Sequence, residues 1–396
     1  MMKSYYRILI FIFLLVSCER TDFYPRIILR RSESQMYLMY REAIKNDAIP
    51  RSADNNGIRW IKNNMDWTEG FWPGMCWMIY QFSGDSVWAS AAVSSQNKFI
   101  AQRFDSSTHD LGFIFNNSFG KAYRISGEEK YKAVLIDAAN SLASRYNPVV
   151  GCIKSWDWAP DRWQFPVIID NMMNLELLFE ASGITGDPLY RNIAVEHANT
   201  TMKNHFRKDY SSFHVVDYDT LTGKAIRKQT HQGFADSSAW ARGQSWGLYG
   251  YTICFRYTRD SVYLNQAQHI ADYILQQLPA DGVSCWDYLA PDSLKNIRDA
   301  SAAAILASAL IELGNYSKSI EYHSVALKII KTLSSPVYFP KSGTNHFFIL
   351  KHSVGSFPEN SEVDVPIIYA DYYYIEAVMR LQLMNESGYF RYDQVR

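Results

Sequence analysis

The stretch Ile184-Thr185-Gly186-Asp187, followed by Tyr190, decides the fold because the chain repeats it. Phe82-Ser83-Gly84-Asp85 precedes Trp88, Ile125-Ser126-Gly127-Glu128 precedes Tyr131, and Tyr257-Thr258-Arg259-Asp260 precedes Tyr263. Leu313-Gly314-Asn315-Tyr316 is a degenerate copy. Helical periodicity flanks every copy. Glycine ends one helix in a left-handed cap, and Asp or Glu opens the next and offsets its unpaired amides. The aromatic residue one turn later is expected to pack back onto the turn. Each copy is therefore a helical hairpin.

Periodicity places helical stretches at about 34–47, 70–82, 85–103, 109–125, 128–145, 167–183, 187–206, 237–257, 260–278, 298–313, 316–334 and 365–383. A repeated hairpin must bury its apolar face against its neighbours. Six hairpins can close into a double ring, an all-α (α/α)6 barrel; an open superhelix is the alternative. Strand-like signal is confined to Phe213-His214-Val215-Val216-Asp217-Tyr218 and Phe347-Phe348-Ile349-Leu350, read as small hairpins in loops. No Pro- or Ser-rich linker divides the chain, so residues 34–390 read as one catalytic domain behind a tether at 18–33.

Lys and Arg together number 40, as do Asp and Glu, so the 396-residue chain has no formal net charge. That excludes the basic signature of a nucleic-acid binder. Aromatic residues reach 15%, with 27 Tyr and 11 Trp. The excess fits carbohydrate handling and a large helical core alike. At the N-terminus, Lys3 and Arg7 flank an apolar run that ends in Leu15-Val16-Ser17-Cys18. This reads as a signal peptide over residues 1–17 with a lipobox, cleaved before Cys18, whose sulfur and amine then carry acyl chains. The run is too short for a permanent membrane span. The expected location is the periplasm or cell surface, with the membrane met only through the lipid. Cys76, Cys152, Cys254 and Cys285 form no Cys-x-x-Cys pair, which argues against a zinc site. Cys76 and Cys254 read as core residues, and pairing is not legible.

No Gly-x-Ser-x-Gly, His-Glu-x-x-His or phosphate-cradling glycine loop is present. The chemistry is sought among carboxylates and aromatics. Trp240-Ala241-Arg242-Gly243-Gln244-Ser245-Trp246-Gly247 follows Thr230-His231-Gln232-Gly233. Indole faces stack on sugar rings, while Arg and Gln fix oxygens in direction; the same segment also reads as a core helix. Asp170, after Val167-Ile168-Ile169, reads two ways. Partial desolvation raises its pKa and keeps it a proton donor, whereas a helix-start role lowers it. Asp110, in Thr108-His109-Asp110-Leu111-Gly112, reads as a helix cap or as a second carboxylate that pushes the first pKa upward.

The Trp240–Trp246 segment resembles the Trp-Ala-Arg-Gly-Gln-Ala/Ser-Trp stretch of the unsaturated glucuronyl hydrolases, glycoside hydrolase family 88. Five further stretches are similar and lie in family order: Trp67-Thr68-Glu69-Gly70-Phe71-Trp72-Pro73-Gly74-Met75, His109-Asp110-Leu111-Gly112-Phe113, Ile169-Asp170-Asn171-Met172-Met173-Asn174, Arg298-Asp299-Ala300-Ser301-Ala302-Ala303 and Tyr369-Ala370-Asp371-Tyr372-Tyr373-Tyr374-Ile375-Glu376. The resemblance implies the (α/α)6 barrel, no metal and no cofactor. It also implies an oligosaccharide substrate ending in the Δ4,5-unsaturated uronic acid that a polysaccharide lyase leaves. Asp170 matches the general acid/base, which protonates C4 and helps water add at C5; the hemiketal then opens. Asp110 matches the second essential carboxylate. His214, Gln232, Arg242 and Trp246 match substrate-contacting positions, and Trp67 or Trp72 the stacking platform. Asp299, Asp371 and Glu376 read as structural.

The resemblance thins over residues 336–364, so the choice among chondroitin, hyaluronan, heparin and other lyase products stays open. Three further readings remain: an unsaturated rhamnogalacturonyl hydrolase on pectin fragments, a non-catalytic glycan-binding lipoprotein, and a lyase on the same barrel. Gln244 together with His109-Asp110 favours the glucuronyl type.

Overall fold

The computed structural model describes residues 25–62 and 65–387. The expected signal peptide and Cys18 lie outside the described residues. Helix α1 spans Pro25–Asn46, so the later part of the expected tether is already helix. Its apolar face, with Ile28, Leu29, Met36 and Met39, is buried.

The remaining helices follow in order: α2 Phe71–Ser83, α3 Ser86–Gln96, α4 Lys121–Ser126, α5 Glu129–Ala143, α6 Asn171–Thr185, α7 Pro188–His205, α8 Ala241–Thr258, α9 Ser261–Gln277, α10 Ala300–Ser317, α11 Ile320–Leu333 and α12 Ile368–Ser387. A π-helical segment, Gly112–Gly120, runs directly into α4. Helices α2, the π segment with α4, α6, α8, α10 and α12 pack each against the next, and α12 returns to α2. The ring is closed, which rules out the open superhelix. Helices α1, α3, α5, α7, α9 and α11 form the outer layer.

The repeated turn is built as its residues dictate. Gly84, Gly127 and Gly186 cap their helices at φ +73°, +70° and +74°. Asp85, Asp187 and Asp260 each accept the backbone N–H two residues on. Glu128 makes no such cap; its longer side chain pairs with Lys130 instead. The degenerate copy is displaced: α10 runs through Gly314, and the turn falls at Lys318, with Ser319 as the cap. At four of the turns the aromatic residue bonds to the preceding outer helix: Trp88 Nε1 donates to Glu33, Tyr190 Oη to Asn140, Tyr263 Oη to Asn199 and Tyr322 Oη to Asp272. The motif thus latches neighbouring hairpins together.

The inner helices approach closely where glycine permits. A Cβ on Gly250 would lie 2.4 Å from Met172 Cβ, and one on Gly112 2.5 Å from Asn174 Cα. Farther along the same helices a buried charge network fills the barrel. Glu312 accepts from Arg256 and pairs with Arg380 at 3.2 Å, while Glu376 faces Lys121 at 3.6 Å and accepts from Tyr249 and Ser308. Four small sheets ornament the loops: β1 Ile49–Asp54 with β2 Gly57–Ile61, β3 Tyr146–Asn147 with β4 Cys152–Ile153, β5 Pro166–Ile168 with β6 Val215–Tyr218 and β7 Ala225–Gln229, and β8 Ser353–Ser356 with β9 Ser361–Val365. The 213–218 signal is the central strand of the three-stranded sheet. Phe347–Leu350 is not a strand: the Ile349 and Leu350 amides are bound instead by the Asp371 carboxylate. All four described cysteines are free and buried.

Replacing Gly250 by Ala forces a methyl group into the α6–α8 contact. The variant is expected to lose about 1–3 kcal/mol, read as a melting temperature several degrees lower.

Candidate active site

Because the inner helices all run the same way, their N-termini meet at one end of the ring. A cleft of about 360 Å³ opens there, lined by Trp67, Thr108, Asp110, Phe113, Trp156, Trp158, Asp170, His231, Gln232 and Arg242 among others. Trp67 precedes α2, Asp110 the π segment and Asp170 helix α6; Arg242 lies in the first turn of α8. Converging N-termini point unpaired N–H groups and positive dipole ends at the mouth.

Asp170 occupies the position before α6 but has helical backbone angles, φ −57° and ψ −30°, and its side chain caps nothing. It is buried, and its Oδ2 has no hydrogen-bond partner. Burial is the largest influence on it. Opposed by the charge of Arg242 and helped by that of Asp110, burial pushes the carboxyl up to about 7. The helix-cap reading of Asp170 is thereby set aside, and near neutral pH a substantial share of the group keeps its proton. Asp110 is better served: Thr108 Oγ1 donates to its Oδ2 at 3.0 Å, and His109 Nε2 lies 3.2 Å from Oδ1. Two carboxyl groups in one pocket with unequal partners divide into one acid and one carboxylate.

The structure places the expected site residues unequally. Trp67 lines the cleft, packed against Phe71, Phe113 and Tyr369. Trp72 does not: it is buried in the core, so it is no stacking platform. Trp246 is also fully buried, edge-on to Tyr373 and tilted against Phe113. It supports the cleft floor rather than reaching the cleft. Both indoles lie on inner helices and are buried by the packing around them.

His214 is buried at the centre of the three-stranded sheet's end. Its Nδ1 accepts the amides of His231 and Gln232, both at 3.1 Å, so the ring proton sits on Nε2. That Nε2 faces Asp170 Oδ2 at 3.6 Å. Burial holds His214 well below the usual histidine range, hence neutral. It therefore braces Asp170 from behind. Arg242 is buried and engaged: it pairs with Asp299 at 3.2 Å and donates to the carbonyls of Val354 and Gly355. Gln232 donates to the same Gly355 carbonyl. Asp299 caps α10 and Asp371 holds the 349–350 backbone, the structural roles expected of them.

Sequence reading missed the aromatic wall. Trp156 and Trp158 stack at 4.8 Å, Trp163 meets both edge-on, and His231 packs against all three while pairing with Glu359 at 3.2 Å. A signal existed: three tryptophans within residues 156–163, beside Pro160 and outside any helical period.

Comparison with known proteins accords with this geometry. The model of Glycosyl Hydrolase Family 88 matches residues 41–382. An unsaturated glucuronyl hydrolase of Formosa agariphila is 48% identical over 320 residues, covering 80% of either chain. An unsaturated chondroitin disaccharide hydrolase of Streptococcus pneumoniae is 32% identical over 344 residues, covering 84% of this chain and 86% of its own. Among solved structures, an unsaturated glucuronyl hydrolase specific for heparin superposes with a TM-score of 0.86 at 44% identity, covering 91% of this chain and 98% of its own. Matched over almost the entire barrel, and with relatives this similar, the chain belongs to glycosyl hydrolase family 88.

Proposed function

We propose that this protein hydrolyses oligosaccharides, glycosaminoglycan disaccharides foremost, that end in a Δ4,5-unsaturated glucuronic acid. The observation that carries the reading is a buried carboxyl without a hydrogen-bond partner on Oδ2, Asp170, lining a cleft with a second, hydrogen-bonded carboxyl beside it, its pKa raised by burial to about 7. The substrate's C4=C5 bond is part of a vinyl ether, and its activation needs a proton at C4. Asp170 delivers that proton. Positive charge then develops at C5 and the ring oxygen, beside the Asp110 carboxyl. Water adds at C5 and returns a proton to Asp170. The resulting hemiketal opens, releasing the next sugar and a keto acid. Atoms balance with one water, and no enzyme nucleophile is required.

The helix N-termini around the mouth suit the uronate carboxylate. Trp67 suits the face of the unsaturated ring, and the Trp156–Trp158 wall suits the leaving sugar. Arg242 and Gln232 act through the Val354–Gly355 backbone, which they pin at the cleft edge. The relatives' names, one for chondroitin disaccharides and one for heparin, support glycosaminoglycan products over pectin fragments.

We further propose a lipid anchor at Cys18, supported by Leu15-Val16-Ser17-Cys18 after an apolar run with basic flanks. Among the described residues, no helix is long and apolar enough to cross a membrane.

Loss of ultraviolet absorbance reports loss of the conjugated double bond and tests the reaction directly. Asp170→Asn is expected to lower kcat at least about 10³-fold with an unchanged melting curve; near-normal turnover defeats the mechanism. Since the acid form of Asp170 is the active one, kcat/KM is expected to hold below about pH 7 and to fall about tenfold per unit above it. A profile that rises through pH 8 contradicts the assignment. Labelled palmitate fed to producing cells is expected to enter the wild-type chain and not Cys18→Ala.

A further inference from the structure

Arg51, in β1, joins two carboxylates that lie far apart in the chain. Its Nε and Nη2 donate to the two oxygens of Glu362 at 2.8 and 3.0 Å. Its Nη1 donates to Asp66. All three side chains are largely buried. Asp66 and Thr68 flank Trp67, and Asp66 Oδ1 accepts the Thr68 amide at 2.9 Å and the Thr68 hydroxyl at 2.7 Å. Trp67 therefore sits inside a turn that the Arg51 guanidinium anchors.

The second carboxylate belongs to the cleft edge. Glu362 stands across the β8–β9 hairpin from Gly355, and a Cβ on Gly355 would fall 2.8 Å from Glu362 Cβ. Gly355 is the residue whose carbonyl Arg242 and Gln232 hold. Glu362 reaches this place with a left-handed backbone, φ +55°, which a residue with a side chain seldom adopts. Such a conformation persists only where its surroundings hold it, and here Arg51 and the Ser52 hydroxyl do so. Burial alone raises the Glu362 pKa, but these bonds outweigh it and hold the carboxyl below its ordinary value, hence ionised. Arg59 lies 3.6 Å from the same carboxylate. Two cations thus meet two anions, so the cluster exerts no long-range pull on an anionic sugar.

We infer that Arg51 is a positioning residue for sugar binding: by joining the Asp66–Thr68 turn to Glu362 against Gly355, it fixes Trp67 relative to the pinned Val354–Gly355 edge. A guanidinium suits this task because its planar fork holds one carboxylate with two donors and a second carboxylate with its third nitrogen. An ammonium is a point charge and cannot reproduce that geometry. The groups that Arg51 holds serve binding and not proton transfer, so its loss is expected to appear in KM rather than in kcat.

This inference rests on the reading of Trp67 as the platform for the unsaturated ring. The test measures kcat, KM and melting temperature for wild type, Arg51→Met, Arg51→Lys, Trp67→Ala and the double variant Arg51→Met/Trp67→Ala, by the ultraviolet assay on an unsaturated chondroitin disaccharide. Arg51→Met is expected to raise KM about tenfold with kcat within about threefold of wild type. Arg51→Lys keeps the charge but loses the fork, and its KM is expected to stay at least about fivefold above wild type. In the Trp67→Ala background, Arg51→Met is expected to add about twofold or less, because the ring it positions is gone. Equal fold-changes in the two backgrounds overturn the inference, as does a lower melting temperature with KM unchanged. A full return of KM in Arg51→Lys overturns it in favour of charge alone. If Arg51→Met fails to fold, Glu362→Gln cuts the same link from its other end: KM is expected to rise about three- to tenfold, and an unchanged KM overturns the inference. A wild type inactive on every unsaturated disaccharide defeats the underlying function, and Trp67→Ala with a normal KM defeats the platform reading. An active wild type and an impaired Trp67→Ala beside unimpaired Arg51 variants defeat this inference alone.

Discussion

Everything at the cleft depends on how Arg242 is held. A guanidinium with almost no exposure costs several kcal/mol to bury unless its donors are met. Here Asp299 supplies the countercharge, and the Val354 and Gly355 carbonyls each take one further terminal N–H. The guanidinium carbon lies 4.5 Å from the centroid of the Trp240 ring and 5.3 Å from that of Tyr369. One side chain therefore ties α8 to α10, to α12 and to the β8 hairpin. Gln232 joins the same Gly355 carbonyl, which links the loop that carries His231. Removing Asp299 leaves a buried charge unpaired, a far larger loss than a surface ion pair. Arg242 thus both lines the cleft and pins its edge.

That pin matters because of competing effects on Asp170. A carboxyl group at a helix start, near an arginine, is expected to be a strong acid. The structure reverses this through burial, which outweighs the Arg242 charge, while Asp110 works in the same direction as burial. Arg242 is moreover already neutralised by Asp299, so its field at Asp170 is reduced. His214 contributes no charge, since two backbone amides fix its tautomer with the N–H toward the acid. The protein thus surrounds its acid with groups that are buried, neutral or paired.

Much of the fold was legible because its signal is local. Gly84, Gly186 and the Asp residues that follow them have one good conformation, and they report the hairpins whatever the tertiary packing. The partners of Trp88, Tyr190, Tyr263 and Tyr322 were not legible, because each reaches an outer helix about fifty residues or more earlier in the chain. Asp110, Asp170 and Trp67, singled out from their motifs, line one cleft. Trp72 and Trp246 were misplaced for a physical reason: motif membership does not say which face of an inner helix looks up the axis and which is filled. The β8 hairpin was missed since Ser353–Ser356 and Ser361–Val365 are short and paired only to each other.

The misplaced tryptophans explain how a closed ring supports a shallow cleft. Phe113 touches both Trp67 above and Trp246 below, and Trp246 in turn meets Tyr373, which meets Tyr249. Tyr249 donates to Glu376 in the charge network farther down. The barrel axis is therefore filled in layers: aromatic at the mouth, aromatic beneath it, then ionic. The aromatic layers make the floor of the cleft apolar, and burial is the largest influence that raises the Asp170 pKa. The ionic layer lies beyond them, where its charges are paired among themselves and do not bear on the acid. Trp246 thus fills the space between the cleft's Phe113 and the Tyr373 ring beneath it.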